Sequence, residues 1–418
     1  METVAENLSG ASEERVVSTV TKSHRPSHPF SFEIFRNDPS GARLGRLRTP
    51  HGSIDTPAFL FCATKASIKG LTAEQVRRSG TQIILANTYH LSLQPGGETV
   101  EALGGLHSMM DWTGPLLTDS GGFQIFSLGH GGVAQEIKSR RGSGEGRRTL
   151  LKVTEEGALF RSYVDGALHM LTPESSISIQ RRLGADIILP LDECTPFHMD
   201  RSHTADSTRR SHRWERRSLE EFRRHGGEKQ VLYGIIQGGI YEDLRRESCA
   251  FVAEEDFFGQ AIGGSLGGEK SQMREIVDAV GRMKHPTRPT HLLGIGGVED
   301  IFRGICSGVD TFDCVHPTRL ARHGGALLPF SLSEGKGHIN LRSGRFATDR
   351  DPVDPTCDCL CCGTVSRGYV HHLLKAGETL GGQLLTLHNI AFLNRLMVRI
   401  RSAIATQSLD SVKDLYLR

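Results

Sequence analysis

Three cysteines and a distant histidine have the types and spacing of metal ligands. Cys357, Cys359 and Cys362 form the pattern C-x-C-x2-C, and His388 follows 26 residues after Cys362 in an apolar, helix-like stretch. Three thiolates and one imidazole suit a structural zinc ion, whose four protein ligands leave no position for a reacting water. Free or disulfide-paired cysteines are the alternative, although close thiols in a reducing compartment more often hold metal. Cys361 is an extra thiol inside the motif, either a bystander or a competing ligand.

Carboxylates that follow short apolar runs could carry the chemistry. Asp119 follows the run PLLT, and Asp313 stands in the run VDTFDC. Such a pair suits reaction at a glycosidic bond, in which one carboxylate attacks the anomeric carbon and forms a covalent sugar ester. The other carboxylate then handles the proton of the leaving or entering group, and two displacements retain configuration. The alternative for Asp119 is a carboxylate that caps a tight turn.

Further polar residues at the ends of apolar runs could recognise a purine. Asp192 could accept two hydrogen bonds from a guanidine-like edge, and Gln237 and the backbone of Gly264 could read the carbonyl side. The alternative for Asp192 is an ion pair with one of the many arginines. The sequence therefore indicates a base-binding site beside the two reacting carboxylates.

Basic and glycine-rich segments could contact phosphates. Thr318 and Arg319 closely follow the run that contains Asp313 and could hold a nucleic-acid backbone. The glycine-rich turn 294–300 follows the seventh run, and in a barrel the loops after strands seven and eight are frequent phosphate sites. The basic insert 138–148 reads as a solvated loop, and 209–224 reads as a solvated helix face because both signs of charge recur at helical spacing.

Eight continuous apolar runs would position these residues. Runs of this kind read as strands buried on both faces. They are PAFLFCAT (57–64), TQIILANTYH (81–90), PLLTDSGGF (115–123), ADIILPLDE (185–193), VLYGIIQGG (231–239), FFGQAIGGS (257–265), THLLGIGG (290–297) and VDTFDC (309–314). Helix-like stretches lie between most of them, which predicts an α/β fold, a (β/α)8 barrel with insertions, especially over 124–184. A doubly wound sheet is the alternative. In a barrel, the polar strand ends share the face that carries the active site.

Two helix-like stretches carry terminal signals. Thr72 and Thr172 are predicted N-caps, and Gly80 and Gly184 are predicted C-caps.

Composition bounds the class of protein. The 418 residues are 37% hydrophobic and 23% charged with a net charge of +2, so nucleic-acid contact would need a local patch. Nine cysteines, an odd number, four of them within 357–362, indicate a reducing, cytoplasmic location. No apolar run reaches the roughly 18–20 residues of a membrane span. Residues 1–28 are polar and poor in apolar periodicity, which predicts a flexible extension. A mitochondrial transit peptide is the alternative, and the glutamates of this segment argue against it.

Seven motifs in order resemble the tRNA-guanine transglycosylase family. They are TDSGGFQIFSL, ADIILPLDECTP, IIQGG, AIGGSLGGE, HLLGIG, FDCVHPTR and C-x-C-x2-C with its histidine, over roughly residues 30–405. The resemblance implies a TIM barrel over 29–405 that includes a C-terminal zinc-binding subdomain at about 335–400. Residues 406–418 are then expected to form a C-terminal tail.

The resemblance also implies a reaction and roles. The enzyme would replace guanine at the wobble position of tRNAs with GUN anticodons (Asp, Asn, His, Tyr) by a 7-deazaguanine base. Asp313 would be the nucleophile and Asp119 the general acid/base. The implied base-binding residues are Ser120, Gly121, Gly122, Phe123, Asp192, Gln237, Gly264 and Gly267. The implied tRNA-binding residues are Gly294, Ile295, Gly296, Gly297, Val298, Glu299, Asp300, Thr318, Arg319, Leu320, Ala321 and Arg322.

The incoming base depends on the segment 263–269. Common bacterial members read G-G-L-A-V-G-E where this chain reads G-G-S-L-G-G-E. Gly267 replaces a valine, which predicts room for queuine and resembles the divergent chlamydial, queuine-salvaging branch. The segment 192–196 resembles bacterial enzymes instead, so the 7-aminomethyl-7-deazaguanine precursor is the alternative. Ser265 stands where relatives carry a leucine whose carbonyl contacts the substituent of the base.

Rival interpretations belong to other classes. The non-catalytic, tRNA-binding partner subunit of eukaryotic queuine enzymes lacks the base-binding residues that are present here. The archaeal relative that modifies the D-loop usually carries C-terminal RNA-binding domains, which we do not expect in the about 30 residues that follow His388. An unrelated barrel hydrolase would require the seven motifs to match by accident. A homodimer, or a heterodimer with the non-catalytic relative, is the expected assembly.

Overall fold

The structure, a computed structural model, describes residues 29–129, 149–225 and 229–418. The expected extension 1–28 and the basic insert 138–148 lie outside the described residues. Among the described helices, none is both long enough and apolar enough to cross a membrane.

Sixteen strands are present in the described part of the chain. In chain order they are β1 (Ser31–Asn37), β2 (Arg43–Thr49), β3 (Gly52–Thr56), β4 (Ala58–Cys62), β5 (Ile84–Ala86), β6 (Leu116–Thr118), β7 (Leu150–Val153), β8 (Ala158–Arg161), β9 (Leu168–Leu171), β10 (Ile187–Ile188), β11 (Val231–Ile236), β12 (Gly259–Ile262), β13 (Thr290–Leu292), β14 (Thr311–Asp313), β15 (Gly325–Leu327) and β16 (His338–Asn340).

Eight of these strands form the predicted closed parallel barrel, in the order β4-β5-β6-β10-β11-β12-β13-β14 and back to β4. Each of the eight apolar runs supplies one barrel strand, so the (β/α)8 prediction is confirmed and the doubly wound alternative is wrong. The strands are short, from two residues in β10 to six in β11.

Side chains of the barrel strands alternate between two apolar layers. On β4, Ala58, Leu60 and Cys62 belong to the cluster that fills the barrel interior, whereas Phe59 and Phe61 pack outward against the helices. This alternation is what a strand buried on both faces requires. The antiparallel sheet β1–β3 contributes Leu47 and Ile54 to the interior cluster, so it covers the end of the barrel opposite the polar strand ends.

Fifteen α-helices surround the strands in the described chain. They are α1 (Ala73–Arg78), α2 (Thr88–Leu93), α3 (Gly97–Ala102), α4 (Gly105–Met110), α5 (Gly122–Gly129), α6 (Pro173–Leu183), α7 (Arg201–Arg224), α8 (Glu242–Glu254), α9 (Lys270–Met283), α10 (Val298–Cys306), α11 (His316–Arg322), α12 (Leu360–Thr364), α13 (Arg367–Ala376), α14 (Thr379–Thr406) and α15 (Leu409–Leu417). Single 3-10 turns occupy Phe330–Leu332 and Gly344–Phe346.

The predicted helix termini are largely as expected. Thr72 and Thr172 are N-caps whose hydroxyls accept hydrogen bonds from the third helical N–H, as in a capping box. Gly184 is the C-cap of α6 with a φ of +75°. The prediction for Gly80 is wrong by one residue, because Ser79 is the C-cap of α1 and Gly80 follows it in the left-handed region.

The structure contains both the expected insertion, a small sheet, and the expected solvated helix face, on α7. Within 124–184, strands β7–β9 form a separate antiparallel sheet. Helix α7 buries one face, including Trp214, while its arginines pair with carboxylates such as Glu155 and Glu174 at the surface. The prediction of a solvated face over 209–224 is therefore confirmed.

The C-terminal region packs around one long helix. Helix α14 is 28 residues long and buried along most of its length. Strands β15 and β16 and helices α12 and α13 pack with it to form a separate apolar cluster that includes the cysteine motif. Residues 406–418, expected as a tail, contain helix α15, whose Leu409 and Tyr416 are buried in the main core.

Candidate active site and metal centre

Asp313 lies at the carboxyl end of β14 and is buried. Its Oδ1 accepts a hydrogen bond from the backbone N–H of Gly294 at 2.8 Å and faces Nε2 of His291 at 3.2 Å. Its Oδ2 faces only the thiol of Cys62, at 3.7 Å, among the described residues. Because the stronger donors hold Oδ1, Oδ2 is the oxygen left available to a ligand.

Asp119 directly follows β6 and is fixed by a ring of donors. Its Oδ1 accepts a hydrogen bond from the backbone N–H of Thr88 at 2.8 Å. Its Oδ2 accepts hydrogen bonds from the side-chain amides of Asn87 and, at 2.8 Å, Gln124. The buried Oε1 of Gln124 finds no hydrogen-bond partner within the described ranges, so an acceptor for a ligand N–H lies beside this carboxylate.

Asp192 belongs to the same mouth of the barrel. Its Oδ1 accepts a hydrogen bond from the Ser120 hydroxyl at 3.4 Å, and its Oδ2 accepts one from the side-chain amide of Gln237. All three side chains are buried. The structure thus places three of the predicted base-binding residues in direct contact.

The charges of these carboxylates influence one another. The pKa of Asp119 is raised to about 6, chiefly by burial and in smaller part by the nearby charge of Asp313, while the three donors oppose the rise. The pKa of Asp192 is likewise raised to about 7, chiefly by burial and in smaller part by the charge of Asp119, while its hydrogen bonds with Gln237 and Ser120 oppose the rise. Two carboxyl groups that titrate near neutral pH in one cleft are typical of a functional site.

Glycines allow the backbone to approach this cleft closely. Gly121 has a φ of +85°, and a Cβ on Gly122 would lie 2.8 Å from the carbonyl oxygen of Asp192. A Cβ on Gly264 would lie 2.2 Å from Oε1 of Gln237. Phe123, at the start of α5, is 47% exposed and is free to stack on a planar ligand.

Gly267 has a φ of +113°, and a Cβ there would lie 2.3 Å from Oε1 of Gln272 on α9. A valine at this position would therefore strain the backbone as well as change the space around it.

The two predicted tRNA-binding segments follow β13 and β14 and so lie at the same face. In the first, Asp300 is buried, and both Glu299 and Asp300 pair with Arg274. In the second, Thr318 and Ala321 face the interior. The remaining members are Gly294, Ile295, Gly296, Gly297 and Val298 in the first segment and Arg319, Leu320 and Arg322 on α11. Arg319 is exposed and Arg322 half-buried, so the arginines carry the positive charge of this surface.

The cysteine motif and His388 form one compact group. The ligand atoms of Cys357, Cys359, Cys362 and His388 all lie within 4.8 Å of one another, a separation that suits one tetrahedral ion. Nε2 of His388 faces the carbonyl oxygen of Leu327 at 2.8 Å, which directs Nδ1 toward the sulfurs of Cys359 and Cys362. These four residues could therefore hold a metal.

Cys361, the extra thiol of the cysteine motif, is held in place by apolar packing. Cys361 is fully buried in the apolar cluster and lies outside the group of four ligands.

His51, His107 and Asp186 also lie within 4.8 Å of one another. Nδ1 of His51 is 2.7 Å from the Asp186 carboxylate, and Nε2 of His107 is 3.1 Å from the carbonyl oxygen of Gly114. Each of these nitrogens thus faces an acceptor, so the cluster needs no metal to hold it together.

Sequence reasoning missed several residues that hold the site together. Asn87 lies in the polar end of the run 81–90 and Gln124 directly follows the run 115–123, so the rule that located Asp119 would have located them too. His291 and Cys62 lie inside strands, where the sequence reads as core. Arg245 lies on α8 among charged neighbours, where the sequence reads as solvent-exposed.

The comparisons with known proteins agree with this geometry. The profile of the family described as queuine tRNA-ribosyltransferase matches residues 38–418. The queuine tRNA-ribosyltransferase of Roseiflexus sp. (strain RS-1) is 49% identical over 385 residues, which cover 90% of this chain and 96% of the relative. Those of Protochlamydia amoebophila and Halothermothrix orenii are 45% and 43% identical, each over 90% of this chain and 95% and 94% of the relative.

An α/β barrel with carboxylates at its mouth and matches of this extent define an enzyme, a glycosyl-transferring one that acts in tRNA processing. The chain belongs to the queuine tRNA-ribosyltransferase family.

Proposed function

We propose that this enzyme replaces guanine at the wobble position of tRNAs with GUN anticodons (Asp, Asn, His, Tyr) by a 7-deazaguanine base, queuine. The observation that carries the proposal is the meeting of Asp119, Asp192, Gln237 and Asp313 at one end of the barrel. Two of these residues would react at the glycosidic bond, and two would recognise the base. The family profile and the names of the relatives support the same reaction.

The first displacement would use Asp313 as the nucleophile. Its available Oδ2 attacks C1′ of the ribose, the bond from C1′ to N9 of guanine breaks, and a ribosyl-aspartate ester forms. The electron pair of the broken bond goes to N9, where Asp119 supplies a proton as general acid. A carboxyl group with a pKa of about 6 can both give and take a proton near neutral pH.

The second displacement would run in reverse with a different base. Asp119, now ionised, accepts the proton from N9 of the incoming 7-deazaguanine, and N9 attacks C1′. The bond from C1′ to Oδ2 of Asp313 breaks, which restores the free carboxylate. Two inversions retain the configuration at C1′.

Recognition of the base would rest on its polar edge. Ionised Asp192 can accept hydrogen bonds from N1–H and the exocyclic amine, while Gln237 and the backbone N–H of Gly264 face the carbonyl oxygen. Ser120 fixes Asp192 at 3.4 Å, and Phe123 stacks on the ring face. The orphaned Oε1 of Gln124 is an additional acceptor for the base. The remaining proposed contacts are the backbones of Gly121 and Gly122 and the space beside Gly267.

The tRNA would present its anticodon loop to the mouth of the barrel. The wobble nucleotide must leave its stack to reach Asp313, as base-modifying enzymes generally require. Arg319 and Arg322 on α11 and the loop 294–297 would hold the neighbouring phosphates. A protein with a net charge of +2 depends on such a local patch.

Zinc is the ion that we propose for the group of three cysteines and His388. Three thiolates and one imidazole match its preferred ligands, and all four positions are taken by the protein. The ion would stabilise the C-terminal region and take no part in the exchange.

The exchange of labelled guanine out of a GUN-anticodon tRNA tests the function. The protein alone is supplied with queuine and, in parallel, with the aminomethyl precursor; we expect turnover with queuine. Turnover with the precursor alone would overturn the choice of base but keep the reaction. Tight tRNA binding without turnover of either base would instead indicate that a partner subunit is required.

A matched variant tests the role of Gly267 in choosing the base. Because Gly267→Val strains the backbone for both bases alike, the informative quantity is the ratio of kcat/KM for queuine to kcat/KM for the precursor. We expect this ratio to fall, since queuine is the larger ligand. An unchanged ratio contradicts the pocket argument even if both activities decrease.

A further inference from the structure

Arg245 is a fully buried cation that the proposed reaction does not use. It lies near the start of α8 and has no exposed surface. Among the described residues its guanidinium forms no ion pair with a carboxylate; all of its observed acceptors are backbone carbonyl oxygens. Burial lowers its pKa to about 10, so it remains protonated at neutral pH. A buried, charged side chain without a countercharge is costly and needs several hydrogen bonds to persist.

The carbonyl partners of Arg245 bracket the two residues that face the base. Nη1 donates to Ile236 at 2.7 Å and Nε donates to Gly239 at 2.9 Å, on either side of Gln237. The same Nη1 donates to Gly263 at 2.8 Å.

A second contact completes the bracket around Gly264. Nη2 of Arg245 donates to the carbonyl oxygen of Ser265 at 3.3 Å, so the residues before and after Gly264 are both held. A planar guanidinium offers its donors in a fixed fork, and so these four carbonyls cannot shift independently. One side chain therefore sets the distance between the loop after β11 and the loop after β12.

The residues around Arg245 are packed too closely for the two loops to adjust if one of its hydrogen bonds were lost. A Cβ on Gly238 would lie only 2.6 Å from the backbone nitrogen of Arg245, and Gly238 has a φ of +128°. The space for a Cβ on Gly264 is taken by Oε1 of Gln237. The loops and the helix start are in close backbone contact, so a loss of one hydrogen bond would move the base-reading groups.

We propose that Arg245 is a positioning residue that sets the spacing of Gln237 and Gly264 and thereby determines affinity for the base. It acts through those residues and touches neither the base nor the ribose. This inference rests on the proposed function, because Gln237 and Gly264 must be the base readers. It predicts an effect on base recognition and none on the attack of Asp313 at C1′.

The test compares Arg245→Lys with Arg43→Lys in the full-length enzyme. Lysine retains the charge but cannot span four carbonyls. Arg43 is the matched control, since it is also buried and also donates to backbone carbonyls, including that of Arg288 at 2.8 Å. Its carboxylate partner is Asp310, which precedes β14 at the end of the barrel away from Asp313.

We expect Arg245→Lys to raise the KM for guanine in the exchange reaction by about tenfold or more, with kcat and the KM for tRNA changed by less than about threefold. Arg43→Lys should lower thermal stability but leave the KM for guanine unchanged. Equal effects of the two variants on that KM, or a lower kcat with an unchanged KM, would overturn the inference.

A second variant covers the case in which Arg245→Lys does not fold. Gly238→Ala leaves the guanidinium intact but pushes the loop after β11 away from α8, so the KM for guanine should rise in the same way. An unchanged KM in this variant counts against the inference. Wild-type protein that neither binds the tRNA nor exchanges guanine would refute the proposed function itself, whereas active wild type with unaltered variants would refute only the role of Arg245.

Discussion

At the residue scale, Asp313 has two unequal oxygens. Gly294 and His291 hold Oδ1, whereas only a thiol lies near Oδ2 among the described residues. A nucleophile benefits from this asymmetry, because one oxygen fixes the direction in which the other points. In the proposed reaction, Oδ2 would attack C1′ directly, without a separate base to activate it.

Removal of the Asp313 carboxylate should abolish the covalent intermediate. We expect Asp313→Ala to form no tRNA adduct that survives denaturing electrophoresis, while tRNA binding stays within about tenfold of wild type because phosphate contacts dominate affinity. Asp119→Asn is the matched comparison, since it keeps the nucleophile and removes only the proton donor. A surviving adduct in Asp313→Ala would rule out this residue as the nucleophile.

The raised pKa of Asp192 should make base recognition depend on pH. Only the ionised carboxylate accepts hydrogen bonds at both oxygens, so the KM for guanine should rise as the pH falls below about 7. Asp192→Asn should have a weaker affinity that is nearly independent of pH in this range. An identical pH profile for wild type and variant would contradict the assignment.

The same carboxyl group also affects stability, with a definite sign. Because the pKa of Asp192 is raised from 3.8 to about 7 on folding, the native state binds more protons than the unfolded state between these values. The contribution of this group to the free energy of unfolding therefore decreases as the pH rises from about 4 to 7. In urea unfolding, the stability of Asp192→Asn relative to wild type should therefore increase from pH 4 to pH 7. A stability difference between variant and wild type that is the same at pH 8 as at pH 4 would contradict this prediction.

The sequence allowed the carboxylates of the proposed site to be located, but not the residues that hold them. Asp119, Asp192 and Asp313 were predictable because each ends an apolar run, and the ends of barrel strands meet at one face. Arg245 was not predictable, since its neighbours on α8 are charged and its partners are backbone carbonyls. No residue type marks a carbonyl acceptor, so the role of Arg245 emerges only from the packed structure.

At the element scale, the eight barrel strands were predictable and the sheet β1–β3 was not. The barrel runs are continuously apolar because both of their faces are buried. Strand β1 reads SFEIFRN and lies mostly exposed, so its sequence carries no comparable signal. The sequence around His388 predicts an apolar helix, which α14 confirms. The full length of α14, 28 residues, depends on packing against the barrel and the C-terminal cluster.

Helix α14 connects the candidate metal centre to the element that follows Asp313. Beside His388 on this helix, Asn389 accepts a hydrogen bond from the N–H of Leu327 at 2.8 Å and donates one to the carbonyl of Pro317 on α11 at 2.9 Å. Disturbance of the metal centre can thus reach α11, which carries the arginines of the proposed tRNA surface.

Loss of one metal ligand should therefore affect stability and tRNA binding together. We expect Cys359→Ala to lose zinc, to unfold at a lower temperature and to bind tRNA more weakly, because metal binding at such a site contributes folding free energy. Cys361→Ala is the matched control, as this buried thiol lies outside the ligand group. Unchanged zinc content in Cys359→Ala, measured by atomic emission, would exclude Cys359 as a ligand.

At the scale of the whole molecule, charge is nearly balanced. A net charge of +2 spread over 418 residues gives little long-range attraction for RNA, so affinity must come from a small surface. Few phosphate contacts produce a shallow dependence of the affinity on salt concentration. The exposed Arg319 on α11 is the residue on which this dependence should be visible.

Substitution of Arg319 should reduce the salt dependence of tRNA binding. We expect Arg319→Gln to reduce the slope of log K against log salt by about one, because one phosphate contact is lost. Arg418→Gln removes the same charge from the end of α15, outside the proposed tRNA surface, and should leave the slope unchanged. Equal slopes for wild type and Arg319→Gln in filter-binding titrations would show that Arg319 makes no phosphate contact with the tRNA.

The barrel closes where its last strand pairs with its first, and Asp313 lies in that strand pair. Strand β14 pairs with β4, with Asp313 opposite Leu60, and the thiol that faces Asp313 comes from Cys62, 251 residues earlier in the chain. During synthesis, the carboxylate can acquire these neighbours only after the last barrel strand has left the ribosome. A nascent chain can hold most of its helices and strands and still have no reaction centre. Catalytic activity therefore reports closure of the barrel, which no measurement of secondary-structure content can replace.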